Sequence, residues 1–197
     1  MSVTISVDSN GFYSPANYTT GQPIQMAYGE SQNNGSKVFT AWNTFEEVPG
    51  GLRATITPKF ANSKMIIQAK IFWGGVSGTT DVAANFRILK SIDGGSTWTK
   101  GNMEYSTDAG LGIQSEIGVA TGTYMYNMGD GNSSSIQDNI LMVDTSADST
   151  ASTIYAVHWA CGYAPNSRTL YWNRTIAGGN SYNSPHINTI TVTEIKQ

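Results

Sequence analysis

The sequence has little cysteine and little charge. Its 197 residues include a single cysteine, Cys161, so no intrachain disulfide forms and packing alone must hold the fold together. Asp, Glu, Lys and Arg make up 13% of the chain, about half of the roughly 25% that is usual in soluble proteins. The polar surface must therefore consist mainly of Ser, Thr, Asn, Gln and Gly, a composition that favours strands and tight turns over long helices.

Basic clusters and long apolar runs are also missing. The net charge is −3, and no run of Lys or Arg is present that could neutralise nucleic-acid phosphates. No apolar run approaches the ~18 residues of a membrane span, and the first residues lack the basic end and apolar stretch of a secretory signal. We therefore expect no nucleic-acid partner, no membrane insertion and synthesis in a cytoplasm.

Short apolar or alternating segments, separated by clusters of turn residues, fill the chain from Lys37 onward. Lys64–Trp73 and Thr153–Cys161 carry apolar residues on both faces, as strands covered on both sides would. The candidate strands are Val38–Thr44, Leu52–Thr57, Lys64–Trp73, Ala84–Ser91, Thr97–Gly101, Ile117–Tyr126, Asn139–Val143, Thr153–Cys161, Thr169–Asn173 and Asn188–Ile195. This spacing predicts an all-β fold, an antiparallel β-sandwich or jelly roll.

The first 36 residues differ from the rest. They are polar, rich in Asn, Gln, Tyr and Gly, and contain one alternating stretch in which Val3, Ile5 and Val7 share a face. We expect residues 1–36 to form a short extended N-terminal arm that anchors the protein or adds to a neighbour's sheet. Residues 37–197 are expected to form the sandwich domain.

The run from Ser91 to Trp98 fits the Asp-box pattern Ser-x-Asp-x-Gly-x-x-Trp. In such a turn the Asp93 carboxylate accepts backbone N–H bonds, Gly95 adopts a positive φ, and Trp98 packs beneath the turn. The pattern occurs once, and we interpret it as a structural hairpin.

The sequence offers no convincing catalytic or cofactor constellation. The run Gly129-Asp130-Gly131-Asn132, with Asp138 nearby, could be half of a calcium site but is better explained as a polar surface loop. His158 is expected to be a satisfied or half-buried strand residue, and its strand parity places it on the opposite face from Cys161. A glycosidase pair could come only from scattered acids such as Glu46, Glu47, Glu104 and Glu116, which sequence cannot place at ~5–9 Å. We expect no enzyme activity, metal or cofactor.

Five Trp and ten Tyr residues exceed what a core of this size requires. Tyr171 and Trp172 are adjacent in a predicted strand, so one should point inward and the other outward. An outward aromatic here would belong to a subunit interface or to a platform that stacks on sugars, and aromatic enrichment at interfaces favours the first.

In several short motifs and in their order, the chain resembles the surface domains of tailed-phage virions, especially those of marine and cyanobacterial phages. The motifs are Ala54–Lys59 with Asn62–Ile67, Arg87 with the Ser91–Trp98 turn, Asp144 ahead of Thr153–Val157, Leu170–Arg174, and Ile190–Ile195. The resemblance covers Phe39 to Ile195.

The resemblance implies a jelly-roll knob that forms homotrimers, sits on the virion surface and has no catalytic residues. Its partners would be copies of itself and the major capsid protein or another virion protein, after synthesis in the host cytoplasm. Because residues 1–36 do not look like a fibre shaft, we expect a trimeric capsid decoration or cement protein. The alternative is a short tail fibre or spike knob that binds a host surface glycan.

Overall fold

The computed structural model describes residues 18–41, 44–75, 82–104, 120–125, 135–162, 168–175 and 186–197. These ranges contain strands and no helix, and the strands pair antiparallel throughout. The strands are β1 (Pro23–Ser31), β2 (Gly35–Phe39), β3 (Glu46–Glu47), β4 (Arg53–Ile56), β5 (Lys64–Gly74), β6 (Val82–Ser91), β7 (Thr121–Met125), β8 (Ile136–Asp144), β9 (Thr153–Cys161), β10 (Arg168–Trp172) and β11 (Asn188–Ile195). The predicted all-β antiparallel sandwich is confirmed, while the jelly-roll connectivity stays a prediction.

The first sheet is organised around β5. On one edge of β5, β11 pairs with Lys64–Lys70 and β10 pairs with Trp73 and Gly74 farther along. On the other edge β8 pairs with Met65–Trp73. Strand β1 lies outside β11, and β2 lies outside β10. The four strands β1, β11, β5 and β8 thus form one continuous stretch of sheet.

The second sheet is organised around β9. Strand β6 pairs with Ile154–Cys161, and β7 lies outside β6. On the other edge of β9, β4 pairs with Thr153–Ala156 and β3 with His158 and Trp159. The two short strands therefore share one edge of β9 in succession.

The core lies between the two sheets and follows from the alternation of side chains along each strand. Trp73, Trp159 and Trp172 are fully buried, and the ring of Trp159 meets that of Trp172 edge to face with centroids 5.8 Å apart. The inward residues of β11 are Ile190 and Val192, as the period-2 pattern predicts. These apolar side chains supply most of the stabilisation in a fold that has no disulfide.

A buried carboxylate ties the last strand to the turn that precedes β5. Glu194 is fully buried, and its Oε1 accepts bonds from the backbone N–H of Lys59 (2.8 Å) and Phe60 (3.1 Å) and from Ser63 Oγ (2.7 Å). Its Oε2 accepts from Gln25 Nε2 on β1 at 2.6 Å. The four donors compensate for the loss of water around the charge, so the turn is held by specific bonds.

The predicted boundary between residues 36 and 37 requires correction, because it falls inside β2. Strand β1 pairs with β11 from Pro23 to Ser31, so this part of the expected arm belongs to the sandwich. The alternating stretch at Val3, Ile5 and Val7 lies outside the described residues. The prediction missed β1 because its inward positions include the small residues Ala27 and Gly29, which give a weak apolar signal.

Other strand predictions also differ from the structure, among them Val38–Thr44, because β2 ends at Phe39. Thr97–Gly101 forms one isolated bridge between Thr99 and Lys90 in place of a strand. Strand β5 is central, as expected, but only its inward face is covered. On its outward face Gln68 and Lys70 are exposed and Ile66 is only half-buried. The second strand with apolar residues on both faces, β9, is buried almost throughout.

Candidate functional site

The exposed apolar side chains of the described residues are concentrated on the outward side of the first sheet. Met26 is 67% exposed, Leu141 65% and Tyr28 55%, and Val143 is also exposed. Large apolar side chains at such exposure on one side of a sheet make that side the candidate binding surface of the chain. These residues lie on β1 and β8, the two outer strands of the four-stranded stretch.

The strand registers arrange this surface as a regular grid, which we call the outer face. Each row crosses β1, β11, β5 and β8 in that order. The rows are Met26, Thr193, Ile66 and Val143; Tyr28, Thr191, Gln68 and Leu141; and Glu30, Thr189, Lys70 and Asn139. With strands ~4.8 Å apart and alternate residues ~6.8 Å apart, the grid covers roughly 400 Å².

Charge is confined to one end of the outer face. Glu30 and Lys70 share the third row, and the other two rows contain no ionisable side chain except the Tyr28 phenol. The phenol donates a 2.9 Å hydrogen bond to Glu30 Oε2, which raises the pKa of Tyr28. A shallow depression of about 370 Å³ crosses the second and third rows, with Gln68, Leu141 and Thr191 among its lining residues. Most of the face can therefore lose water at small electrostatic cost.

The outward side of the second sheet differs at its centre, because most outward side chains of β6 and β9 are buried. The buried outward residues of β6 and β9 are Ala83, Asn85, Arg87, Leu89, Ala156, His158 and Ala160. The Arg87 guanidinium lies 4.0 Å from the ring centroid of Phe45. Only the first sheet therefore presents an open face within the described part of the chain.

The Asp93 turn is a compact hydrogen-bonded unit. Asp93 Oδ1 accepts bonds from the backbone N–H of Ser96 (3.0 Å) and Thr97 (2.9 Å) and from Ser91 Oγ (2.6 Å). The Thr97 hydroxyl donates to Oδ2 at 2.6 Å. Together these donors, chiefly the Ser91 and Thr97 hydroxyls, lower the pKa of the Asp93 carboxyl well below its usual range. Gly95 has a φ of +93°, a conformation that costs glycine little. The carboxylate is fully engaged in the turn, which agrees with a structural role.

Trp98 connects this turn to His158 on β9 of the second sheet. Its ring meets His158 edge on, with centroids 5.0 Å apart, and Arg53 lies 5.4 Å from its centroid on another side. Arg53 in turn forms a two-bond pair with Glu47, with Nη2–Oε2 at 2.6 Å. His158 is 5% exposed, and its Nε2 has no hydrogen-bond partner among the described residues. Burial, together with the nearby Arg87 and Arg53 charges, lowers the pKa of His158 to about 4.

His158 should make the stability of the protein depend on pH. Since its folded pKa is about 4 and its unfolded pKa ~6.5, the unfolded chain binds the proton more tightly. Above pH ~6.5 the free energy of unfolding does not depend on the protonation of His158. It falls by about 3 kcal/mol as the pH is lowered from ~6.5 to ~4, and it is again independent of His158 protonation below that. Urea unfolding of the unaltered protein and of His158→Gln should show this loss only in the former.

A matched control for that experiment is His186→Gln. His186 stacks on Phe72 at 4.1 Å, and partial burial lowers its pKa by a smaller amount. The control should therefore keep most of the pH dependence between pH 6.5 and 4. Equal pH dependence in His158→Gln and the unaltered protein would contradict the assignment.

The two adjacent aromatics of β10 point in opposite directions, as strand parity requires. Trp172 is fully buried in the core and so cannot take part in a surface contact. Tyr171 is half-buried, and the Arg174 guanidinium lies 4.8 Å from its ring centroid. Of the two predicted contact residues, only Tyr171 is available at the surface of the chain.

The other polar candidates do not come together into a reactive centre. Gly129 and the rest of the possible calcium loop up to residue 134 lie outside the described residues. Asp138, at its end, accepts bonds from Trp73 Nε1 and Thr123 Oγ1, both at 2.6 Å. No group of three or more His, Cys, Asp or Glu residues in the described ranges could hold a metal ion. Cys161 is buried in the core, on the side of β9 opposite His158.

Two of the acids considered for a glycosidase pair, Glu46 and Glu47, instead form salt bridges with basic side chains. Glu46 pairs with Lys37 at 2.8 Å, and Glu47 pairs with Arg53. The outer face itself was not predicted, because it depends on the register between four strands that are distant in sequence. The signal that was available is the alternation of Met26 and Tyr28 with small residues.

The chain matches no protein-family model and no curated protein sequence. Within the described residues no helix is long and apolar enough to cross a membrane.

Proposed function

We propose that this chain is a structural protein of a tailed-phage virion, a homotrimer that decorates the capsid and cements its subunits. The observation that supports self-association is the outer face, an open four-stranded surface with Met26, Tyr28, Leu141 and Val143 exposed. The virion setting rests on the order of the sequence motifs that resemble phage surface domains.

The composition of the outer face suits a protein interface. Two of its three rows combine Met, Tyr, Ile, Leu and Val with Thr and Gln, so association removes apolar surface without stranding a charge. Its area of roughly 400 Å² is about half of what one partner buries in a standard interface. Neighbouring loops must therefore add to the contact in a stable trimer.

The charges in the third row favour a second copy of the chain as the occupant. Glu30 and Lys70 have opposite signs and lie in the same row, separated by Thr189 of β11. In a trimer, copies that bring this end of their faces toward the threefold axis can pair Glu30 of each copy with Lys70 of the next. Such a pair would contribute mainly to orientation and specificity, because charge pairs at an interface rim add little affinity.

Cementing follows from mass action. A trimer that binds only assembled capsid subunits stabilises that assembly by RT ln(1 + [L]/Kd), about 2.7 kcal/mol at a hundredfold excess over Kd. Capsids stripped of this protein should break open at a lower temperature, and adding the purified chain should restore their stability. Measured by calorimetry, equal melting of bare and decorated particles would contradict the cement function.

The exposed aromatics support a second candidate, a knob that binds a host surface glycan. Tyr28 is 55% exposed, and Tyr171 is half-buried beside Arg174, so both rings can stack on a sugar. A trimer that leaves capsid melting unchanged, adheres to host cells and loses adhesion in Tyr28→Ala or Tyr171→Ala would favour this function over cementing.

A further inference from the structure

A lysine and an aspartate from opposite sheets meet inside the sandwich. Lys90 extends inward from β6 and Asp144 inward from β8, with Nζ and Oδ2 2.9 Å apart. The Lys90 side chain is 7% exposed, and that of Asp144 is fully buried. A buried ion pair of this kind is costly, because the desolvation of two charges can exceed their mutual attraction.

Four further groups surround the pair, one of them the Ser146 carbonyl oxygen, which accepts a 3.3 Å bond from Lys90 Nζ. Tyr155 donates its hydroxyl to Asp144 Oδ2 at 2.9 Å, and the backbone N–H of Asn102 donates to Oδ1 at 3.2 Å. Asp148 Oδ2 lies 3.0 Å from Lys90 Nζ and also accepts a 2.6 Å bond from Asn102 Nδ2. Asp144 is thus polarised by donors on both oxygens, while a second carboxylate contacts the ammonium.

The backbone confines the end of the lysine. Gly101 has a φ of +57°, and a Cβ at that position would overlap Lys90 Cε. The bridge between Lys90 and Thr99 brings this segment against β6. With little room for alternative rotamers, the amine and the carboxyl have a high effective concentration, which for well-oriented groups reaches ~10⁵ M or more.

We propose that Lys90 and Asp144 form an intramolecular isopeptide bond, a covalent link between the two sheets. One proton of the Lys90 ammonium crosses the 2.9 Å contact to Oδ2 of Asp144, so the carboxyl group is neutral when the freed Nζ lone pair attacks Cγ. The negative charge that develops on Oδ1 is stabilised by the Asn102 N–H. The Cγ–Oδ2 bond then breaks, and Oδ2 leaves as water with the two protons lost by Nζ, one of them relayed by Asp148.

The reaction balances without any added reagent. One ammonium and one carboxylate are consumed, one neutral amide and one water molecule form, and Asp148 ends in its initial state. The product places a neutral amide where two charges were buried, which removes the desolvation cost of the pair. The inference is independent of the virion function proposed above.

Intact-mass spectrometry of the purified full-length chain, denatured immediately before measurement, tests the proposal. Most molecules should weigh one water less than the sequence predicts. After trypsin, residues 88–100 should remain joined to residues 101–168 although the chain is cut after Lys100, and fragmentation should place the link at Lys90 and Asp144. Molecules with the full sequence mass, or a link to Asp148, would overturn the proposal.

Lys90→Arg is the decisive variant, because it keeps the positive charge but cannot form the amide, so its mass should equal the sequence mass. The variant also excludes a second source of water loss. Cyclisation at Asp93-Gly94 or Asp130-Gly131 gives the same mass change, and it would persist in Lys90→Arg. If Lys90→Arg still lacked one water, the cross-link would be refuted. The control is Lys70→Arg, on the outer face, which should still lack one water.

Discussion

Replacing Trp172 with alanine should lower the free energy of unfolding by about 3–5 kcal/mol, the usual cost of truncating a buried aromatic. The Trp172 side chain is fully buried against Trp159, and the sandwich has no disulfide to compensate for the cavity. Tyr171→Ala, one residue earlier, is the matched control. Because Tyr171 is half-buried on the outward side of β10, its loss should cost about 1 kcal/mol or less.

Urea denaturation of the two variants and the unaltered protein measures this difference directly. We expect a large fall in the urea midpoint for Trp172→Ala and a small one for Tyr171→Ala, with similar slopes. A comparable loss in both variants would contradict the opposite orientation of the two rings.

Leu141→Lys should convert the proposed trimer to monomers at concentrations where the unaltered chain is fully associated. Leu141 is 65% exposed in the second row of the outer face, so the fold should tolerate lysine there. In the assembly, however, an unpaired ammonium would be desolvated, which should raise the dissociation constant at least about a hundredfold.

Ile92→Lys is the matched control for that variant. Ile92 is also large, apolar and 58% exposed, but it lies in the Asp93 turn of the second sheet, away from the outer face. It should associate like the unaltered chain. Dissociation caused equally by both variants would show that the outer face is not the interface.

Strand positions with strong apolar alternation could be predicted from sequence. Strands β9 and β11 have the bounds expected, Thr153–Cys161 and Asn188–Ile195, because apolar residues define their buried positions. Strand β1 was assigned to an arm because Gly29 lies at one of its inward positions, where a Cβ would overlap the Arg53 carbonyl oxygen. A close approach between strands requires glycine there, and glycine weakens the strand signal.

The candidate site was less accessible to sequence reasoning. Tyr171 and Trp172 could be assigned to opposite faces by parity alone, but which of them lies inward depends on which face of β10 packs against the second sheet, where Trp172 meets Trp159 of β9. The outer face and the contact between Lys90 and Asp144 both depend on pairings between distant segments. Such pairings follow from the whole topology, and no local pattern in the sequence encodes them.

Sedimentation velocity of the unaltered chain over a range of concentrations measures its mass in solution and so tests whether it self-associates. The proposed homotrimer should sediment as a species of three times the 21.2 kDa of one chain. A single 21.2 kDa species at every concentration would contradict it, and the outer face would then have to serve a different partner.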